Sequence, residues 1–380
     1  MMRRNVVWLL STIIVLGALA GLYLRNEQAK DIADPVLEQT IQSSMPNTAE
    51  PAAAAASIAP DQADNLLTDL VAKYKDLGLI DAHNHDASLM KYMIMLKTWK
   101  DHGVQQVVLF GDVSEPSAVI SDKFAWKAYQ EHPETIIPYF CGFDLHRVES
   151  LTVVRNNLEQ GYMGIGEIVA ASTMSPVVSR VAWKANHPLD GYLPQIYDLA
   201  AEYKVPVLLH IDPPSGMPVE KLEQALEEHP DTMMIFAHIN AYNTPEEIER
   251  LLSAHPNLYA DFFAGFSVYN PAGGGAPEQF IPVMKKFPDR FMLSTDSGYG
   301  IEGEEQAIAA MYQMLELMED PVLARKIAHD NLAALIEHQP ATNTQREALR
   351  KLEQETGKDY HVDTLLKVEA GKILAEAAKG

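Results

Sequence analysis

Residues 79–88 read LIDAHNHDAS and set His83 and His85 two positions apart at the end of an apolar run. On an extended chain, side chains two apart share a face, so both imidazoles can address one point. Four more residues with lone pairs to offer close comparable runs: Glu167 in YMGIGEI, His210 in VPVLLHI, His238 in TMMIFAH and Asp296 in RFMLSTD. A single histidine or aspartate in such a place is commonly a hydrogen-bonded turn residue. Two carboxylates and four imidazoles gathered at one opening would instead compete for partners in a partly desolvated pocket unless a cation sat among them. Imidazole and carboxylate without thiolate suit zinc, manganese, iron or nickel. Six ligands exceed the three that a catalytic zinc usually takes, so two ions sharing Glu167 as a bridge is the arrangement expected. A water between two such ions would be hydroxide near neutral pH, and Asp296 beside it could take the proton and deliver it to a leaving group.

The elements that must position these residues are legible as a repeat. Eight short β-rich runs, LGLIDAH, QQVVLFG, TIIPYFC, YMGIGEI, VPVLLHI, TMMIFAH, NLYADFF and RFMLSTD, recur about every thirty residues. Between them lie helix-period stretches such as YLPQIYDLAAEYK and PVEKLEQALEEH. Strands alternating with helices imply a parallel sheet, and eight such units predict a closed (β/α)8 TIM barrel of the α/β class. An open doubly wound sheet is the alternative, but it gives no reason for eight units. The joints EHPETIIPYF, EHPDTMMIFAH and AHPNLYADFF put His132, His229 and His255 at helix ends, away from the strand ends that carry chemistry, so these three read as structural. The barrel is expected over 62–340, with a lead-in helix starting near Asp61. A C-terminal helical extension over 341–380, around REALRKLEQE and VDTLLKVEAGKILAEA, would pack on the barrel side or serve a dimer contact.

Composition excludes several classes. The 52 acidic against 30 basic residues give a net charge of −22, which repels phosphate backbones, so nucleic acid is not an expected partner. One cysteine, Cys141, rules out an internal disulfide and a thiolate-rich zinc site. Residues 1–25 carry Arg3 and Arg4 ahead of an uncharged stretch, 6–24, long enough to span a bilayer. That predicts a transmembrane anchor with an extracytoplasmic (periplasmic) catalytic domain, or a cleaved signal and a secreted protein. The Ala/Pro-rich segment 26–61 reads as a flexible linker.

The ordered set DAHNH, GIGEI, VLLHID, FAHIN and STDSG resembles the amidohydrolase superfamily of metal-dependent barrel hydrolases. ANHPLDGYLPQIYDLAAEYKVPVLLH resembles its amidohydrolase-related (amidohydrolase 2) branch, and IAHDNLAALI is similar to that branch's closing helix. The resemblance implies that His83, His85 and Asp296 hold the more buried ion and that His210 and His238 hold the second. Glu167 would bridge them where other members use a carboxylated lysine. Many members of the branch bind one ion and lack a carboxylate at the fourth strand, and some of those are nonoxidative decarboxylases. The resulting expectation is a hydrolase with two divalent ions, zinc foremost, acting on a small ester, amide, lactone or phosphoester through a bridging hydroxide. The alternatives are a mononuclear decarboxylase on the same scaffold and a non-catalytic surface binding protein; a homo-oligomer is possible.

Polar residues at loop starts are candidates for contact with a small-molecule substrate: His146, His187, Asp212 and Asn240, with Asp261 beside them. Each has a plainer reading as a cap or as a hydrogen-bond partner of a ligand. The segment 170–190, the longest strand-to-helix insertion, is expected to cover the mouth, with NPAGGGAPEQ as a second mobile rim.

Overall fold

The eight apolar runs form eight parallel strands, hydrogen-bonded in sequence order. They are β1 (Leu79–Asn84), β2 (Val104–Leu109), β3 (Ile136–Phe140), β4 (Gly164–Ala171), β5 (Val207–Ile211), β6 (Met234–Phe236), β7 (Leu258–Phe263) and β8 (Phe291–Ser294). The structure, a computed structural model, describes residues 60–298 and 303–379, and Ala59–Gly380 makes up one compact unit. β3, β4 and β5 are buried at every position, as strands covered on both faces must be. Their valine, isoleucine, leucine and aromatic residues suit that environment, because branched and flat side chains pack on a pleated surface. Register is regular where it matters for shape: Val107 lies beside Ile136, and Val207 beside Met234.

Helices lie between the strands. After the lead-in helix α1 (Pro60–Tyr74) come α2 (Tyr92–Asp101), α3 (Ala118–Glu131), α4 (Glu149–Gln160), α5 (Leu193–Tyr203), α6 (Met217–Glu228) and α7 (Pro245–Ala254). Each buries one stripe; α6 buries Val219, Leu222, Ala225 and Leu226 at three- and four-residue spacing. α7 begins with a reciprocal cap, in which Thr244 accepts from the Glu247 amide and Glu247 accepts from the Thr244 amide. His132, His229 and His255 cap the C-terminal ends of α3, α6 and α7. Parallel strands start just after these caps, so the three histidines lie at the opposite end of the barrel from His83 and its companions. Further along are α8 (Ile281–Lys286), α9 (Glu304–Met318), α10 (Asn331–Glu337), α11 (Asn343–Thr356) and α12 (Lys367–Ala377).

The ring is nearly closed, and the seam between β8 and β1 is made by a side chain. Asp81 is fully buried; its Oδ1 accepts from the Thr295 amide at 2.9 Å and its Oδ2 accepts from the Thr295 hydroxyl at 2.6 Å. The Asn84 amide donates to the same Oδ2 at 3.1 Å. Burial pushes the Asp81 carboxyl up to about 6, with the donors from Thr295 and Asn84 opposing. Glu304, at the start of α9, adds a second tie by accepting from Asn84 Nδ2 at 3.1 Å and from Trp99 Nε1 at 3.2 Å.

Two expectations need correction or fall outside the view. Among the described residues no helix is long and apolar enough to cross a membrane, so the membrane-anchored, extracytoplasmic placement is not upheld. The stretch 6–24, on which it rested, lies outside the described residues, as does nearly all of the expected linker 26–61.

The C-terminal extension packs beneath β4. Gln339 Nε2 donates to the Met163 carbonyl at 2.7 Å, Thr342 Oγ1 to the Glu159 carbonyl at 2.7 Å, and Lys367 Nζ to the Tyr162 carbonyl at 3.2 Å. Lys367 is fully buried, and its desolvation pushes the ammonium down to about 7, with Glu159 opposing. The unfolded chain keeps that proton up to about 10.4. Between these values the unfolded state binds more protons, so this group makes stability rise with pH across the window. The difference in denaturant midpoint between the native chain and Lys367→Met is therefore expected to grow in favour of the native chain from pH 7 to pH 9, measured by urea unfolding of both at both pH values.

Candidate metal centre

Each of the six residues is positioned by a different local device. His83 and His85 sit on and just past β1, on one face, as the two-residue spacing requires. Glu167 lies inside β4, because that strand continues to Ala171 rather than ending at residue 168. His210 is the penultimate residue of β5. His238 and Asp296 lie two residues beyond β6 and β8, with left-handed backbones at φ 35° and 47°. For residues with a Cβ this conformation costs about 1–2 kcal/mol, a strain common at functional sites. The surrounding hydrogen bonds hold it: the His238 amide donates to Asp261 Oδ2 at 3.0 Å, and the Ser297 hydroxyl donates to Asp86 Oδ1 at 2.7 Å.

The six side chains meet. His83 Nε2 lies 3.1 Å from His85 Nε2 and 3.3 Å from Asp296 Oδ1, and His85 Nε2 lies 3.5 Å from the same oxygen. His210 Nδ1 and His238 Nε2 are 3.0 Å apart, and they lie 3.0 and 3.1 Å from Glu167 Oε1. The other oxygen of Glu167, Oε2, faces His83 Nε2 at 3.7 Å and His85 Nε2 at 3.5 Å. His83, His85 and Asp296 thus make one trio of possible ligands, and Glu167, His210 and His238 another. Glu167 is only 2% exposed. His85 keeps 23% of its side chain exposed and is the member open to solvent.

The ring nitrogens carry more information than the distances. Nδ1–H of His83 donates to Asp261 Oδ2 at 2.9 Å, and Nδ1–H of His85 donates to the Gly111 carbonyl at 2.6 Å. With those protons committed, both Nε2 atoms present lone pairs to each other and to two carboxylates. That arrangement needs positive charge in the gap, and a carboxylate or carbonyl behind a histidine is how proteins orient a metal-binding imidazole. The titration tendencies agree. Burial pulls His83 down, but the Asp296 and Glu167 carboxylates outweigh it and hold this histidine well above its ordinary value. His85 is pushed up to about 9 against burial by Asp296 and Glu167, and His210 to about 9 against burial by Asp212 and Glu167. Glu167 is held well below the carboxylate range by His83, His210 and His238, although burial acts the other way. Protons or a bound cation can supply the charge this pocket demands.

The remaining residues singled out by sequence divide. Asp212 is buried and gathers the start of the loop after β4: Ser172 Oγ donates to it, as do the amides of Thr173 at 2.8 Å, Met174 at 3.0 Å and Ser175 at 2.9 Å. Its Oδ2 is also 3.5 Å from His210 Nε2. Asn240 is buried and joins the turns after β6 and β7, accepting from the Phe263 amide at 2.9 Å and donating to its carbonyl at 2.8 Å. Asp261 serves His83 and His238 as described. His146 is exposed, with Nε2 3.1 Å from the Lys184 carbonyl, and His187 accepts from the Leu189 amide at 3.2 Å; neither lines the cavity over the six residues. That cavity holds about 430 Å³. Val177, Val178 and Val181 of the expected lid segment wall it, with Phe266, Asp112 and Glu115. Sequence reasoning passed over these, since a valine in a long loop carries no periodic signal. Asp81 had one: it lies two residues before His83, in phase with it, as a carboxylate within an apolar run.

No protein-family model and no curated protein matches the chain. Several solved structures are similar to it. An uncharacterized TIM-barrel protein from Bordetella bronchiseptica has 17% identity and a TM-score of 0.48, covering 72% of this chain and 90% of that one. A probable 2-pyrone-4,6-dicarboxylic acid hydrolase from Acinetobacter baumannii, with citric acid bound, has 14% identity and a TM-score of 0.47, covering 68% and 99%. A 2,6-dihydroxybenzoate decarboxylase from Rhizobium has 12% identity and a TM-score of 0.44, covering 68% and 98%. Likeness this distant decides nothing about what the present chain does.

Gly166 is the local requirement behind Glu167. Its φ is +148°, and a Cβ there would lie 2.6 Å from Leu208 Cβ and 2.9 Å from the Leu208 carbonyl oxygen on β5. Gly166→Ala is therefore expected to destabilise the fold by about 1–3 kcal/mol, from backbone strain together with the displaced strand. Chemical denaturation checks this, and an unchanged midpoint would mean that β4 and β5 can part without cost.

Proposed function

We propose that the chain is a metal-dependent hydrolase of the amidohydrolase superfamily, acting on a small ester, amide, lactone or phosphoester. The observation that carries this reading is the division of Glu167, one oxygen toward each trio, 3.0 Å from His210 Nδ1 on one side and 3.5 Å from His85 Nε2 on the other. Imidazole and carboxylate donors with oriented ring protons fit divalent cations such as zinc, manganese, iron or nickel. His83, His85 and Asp296 would hold one ion, His210 and His238 a second, with Glu167 shared. When bound, such ions supply Lewis acidity that activates water and polarises the substrate.

The chain's own residues do the rest. Asp296 Oδ1 lies within 3.5 Å of both His83 and His85, at the position from which a carboxylate could take a proton from attacking water and return it to a leaving group. Asp261 fixes the tautomer of His83. Asp212 ties His210 to the start of the loop that carries Val177 and Val178, which wall the cavity.

A mononuclear decarboxylase on the same scaffold is the competing reading. It predicts one ion per chain and leaves the carboxylate at Glu167 without a second partner. Elemental analysis of purified protein, alongside His210→Ala, separates the two. Two equivalents in the native chain, falling toward one in the variant, with hydrolysis reduced at least about 100-fold, is the expected outcome. One equivalent in both, with carbon dioxide released from an aromatic acid, would replace this proposal with the other.

A further inference from the structure

The proposed activity leaves the substrate open, and the cavity walls narrow it. The cavity's apolar lining includes Val177, Val178 and Val181 from the loop after β4 and Phe266 from the segment after β7. Facing the six clustered side chains from the loop after β2 are Asp112 and Glu115. They are placed firmly: Ser114 between them donates its amide to the Glu167 carbonyl at 3.2 Å and its hydroxyl accepts from the Val169 amide at 2.9 Å. Their carboxylates accept from neutral hydroxyls, Ser88 to Asp112 Oδ1 at 2.6 Å and Ser117 to Glu115 Oε1 at 2.9 Å.

Among the described residues no lysine or arginine lines this cavity. Lys91 lines the adjoining depression, which shares His85, Ser88 and Ser297 with it, but the Lys91 ammonium is engaged 2.8 Å from buried Asp86. Lys184 is turned to the Ser172 carbonyl at 3.2 Å. Residues 299–302, outside the described set, read YGIE and can bring no basic group. The adjoining depression is lined in part by Leu89, Met90 and Ile94.

We propose that this site takes a substrate with an apolar body that is neutral or cationic away from its reacting group, and that it rejects substrates carrying a remote carboxylate. This rests on the hydrolase reading above. The ions of that reading would draw the reacting group itself, so discrimination falls on charge held further out, where Asp112 and Glu115 set the field between low-dielectric walls. An anion entering there finds like charge and, among the described residues that line the cavity, no guanidinium or ammonium to pair with.

Three hydroxamates sharing one metal-seeking head test the idea: 4-methyl-, 4-aminomethyl- and 4-carboxybenzohydroxamic acid, titrated into the zinc-supplied full chain by calorimetry. The methyl and aminomethyl compounds are expected to bind at least about tenfold tighter than the carboxy compound, a gap of about 1.4 kcal/mol. The Asp112→Asn, Glu115→Gln double variant should narrow it. Equal or tighter binding of the carboxy compound, or a gap unchanged in the variant, overturns the proposal. Should elemental analysis find no metal, the hydrolase reading fails separately. The comparison then runs on the protein as isolated with 4-methylbenzylammonium and 4-methylbenzenesulfonate. Sulfonate bound as tightly as the ammonium, or no binding by either, overturns the selectivity as well.

Discussion

A buried carboxylate with its two oxygens facing two different pairs of imidazoles is the constraint on which the upper part of this barrel depends. Glu167 is almost wholly removed from water, and an uncompensated carboxylate there would carry a large desolvation cost. Its compensation comes from four histidines borne by three other strands or the turns that follow them. The converse also holds, since His83 and His85 face each other across 3.1 Å with their outer protons already given away. Neither the anion nor the imidazoles are tolerable alone, and the pocket as a whole favours bound positive charge.

That requirement reaches into parts of the fold that never face the cavity. Asp261 orients His83 and anchors the strained turn at His238 with the same oxygen. Asp81 closes the seam between the last strand and the first through Thr295, immediately before Asp296, so barrel closure and the placement of Asp296 are one event. Glu304 reinforces the seam from α9; burial with the neighbouring Asp86 and Asp81 pushes its carboxyl up to about 8, against Trp99 and Lys91. A protonated carboxyl there can sit beside other acids without the repulsion an ionised one would bring.

Legibility was uneven. Strand order and number were readable because each strand is a contiguous apolar run bounded by helix-period segments, and burial on both faces leaves a dense signal. The six clustered residues were readable because each interrupts or ends such a run with a polar group. His146 and His187, singled out only as polar residues at loop starts, settle against loop backbone. Which loop residues reach over the mouth depends on how 172–192 folds back, and Asp212, acting through four donors, decides that.

Sequence by itself determined the eight-fold alternation of strand and helix, the exclusion of an internal disulfide and of a thiolate-rich site, and which imidazoles and carboxylates end the apolar runs, because those follow from local pattern and residue type. Only the tertiary structure decided that Glu167 divides its oxygens between two trios, that Asp81 rather than a ladder of backbone bonds draws β8 to β1, and that Asp112 and Glu115 line the cavity with no lysine or arginine among the described residues beside them. These are relations between residues as far as 214 positions apart, and such relations exist only once parallel strands bring their C-terminal ends to one rim.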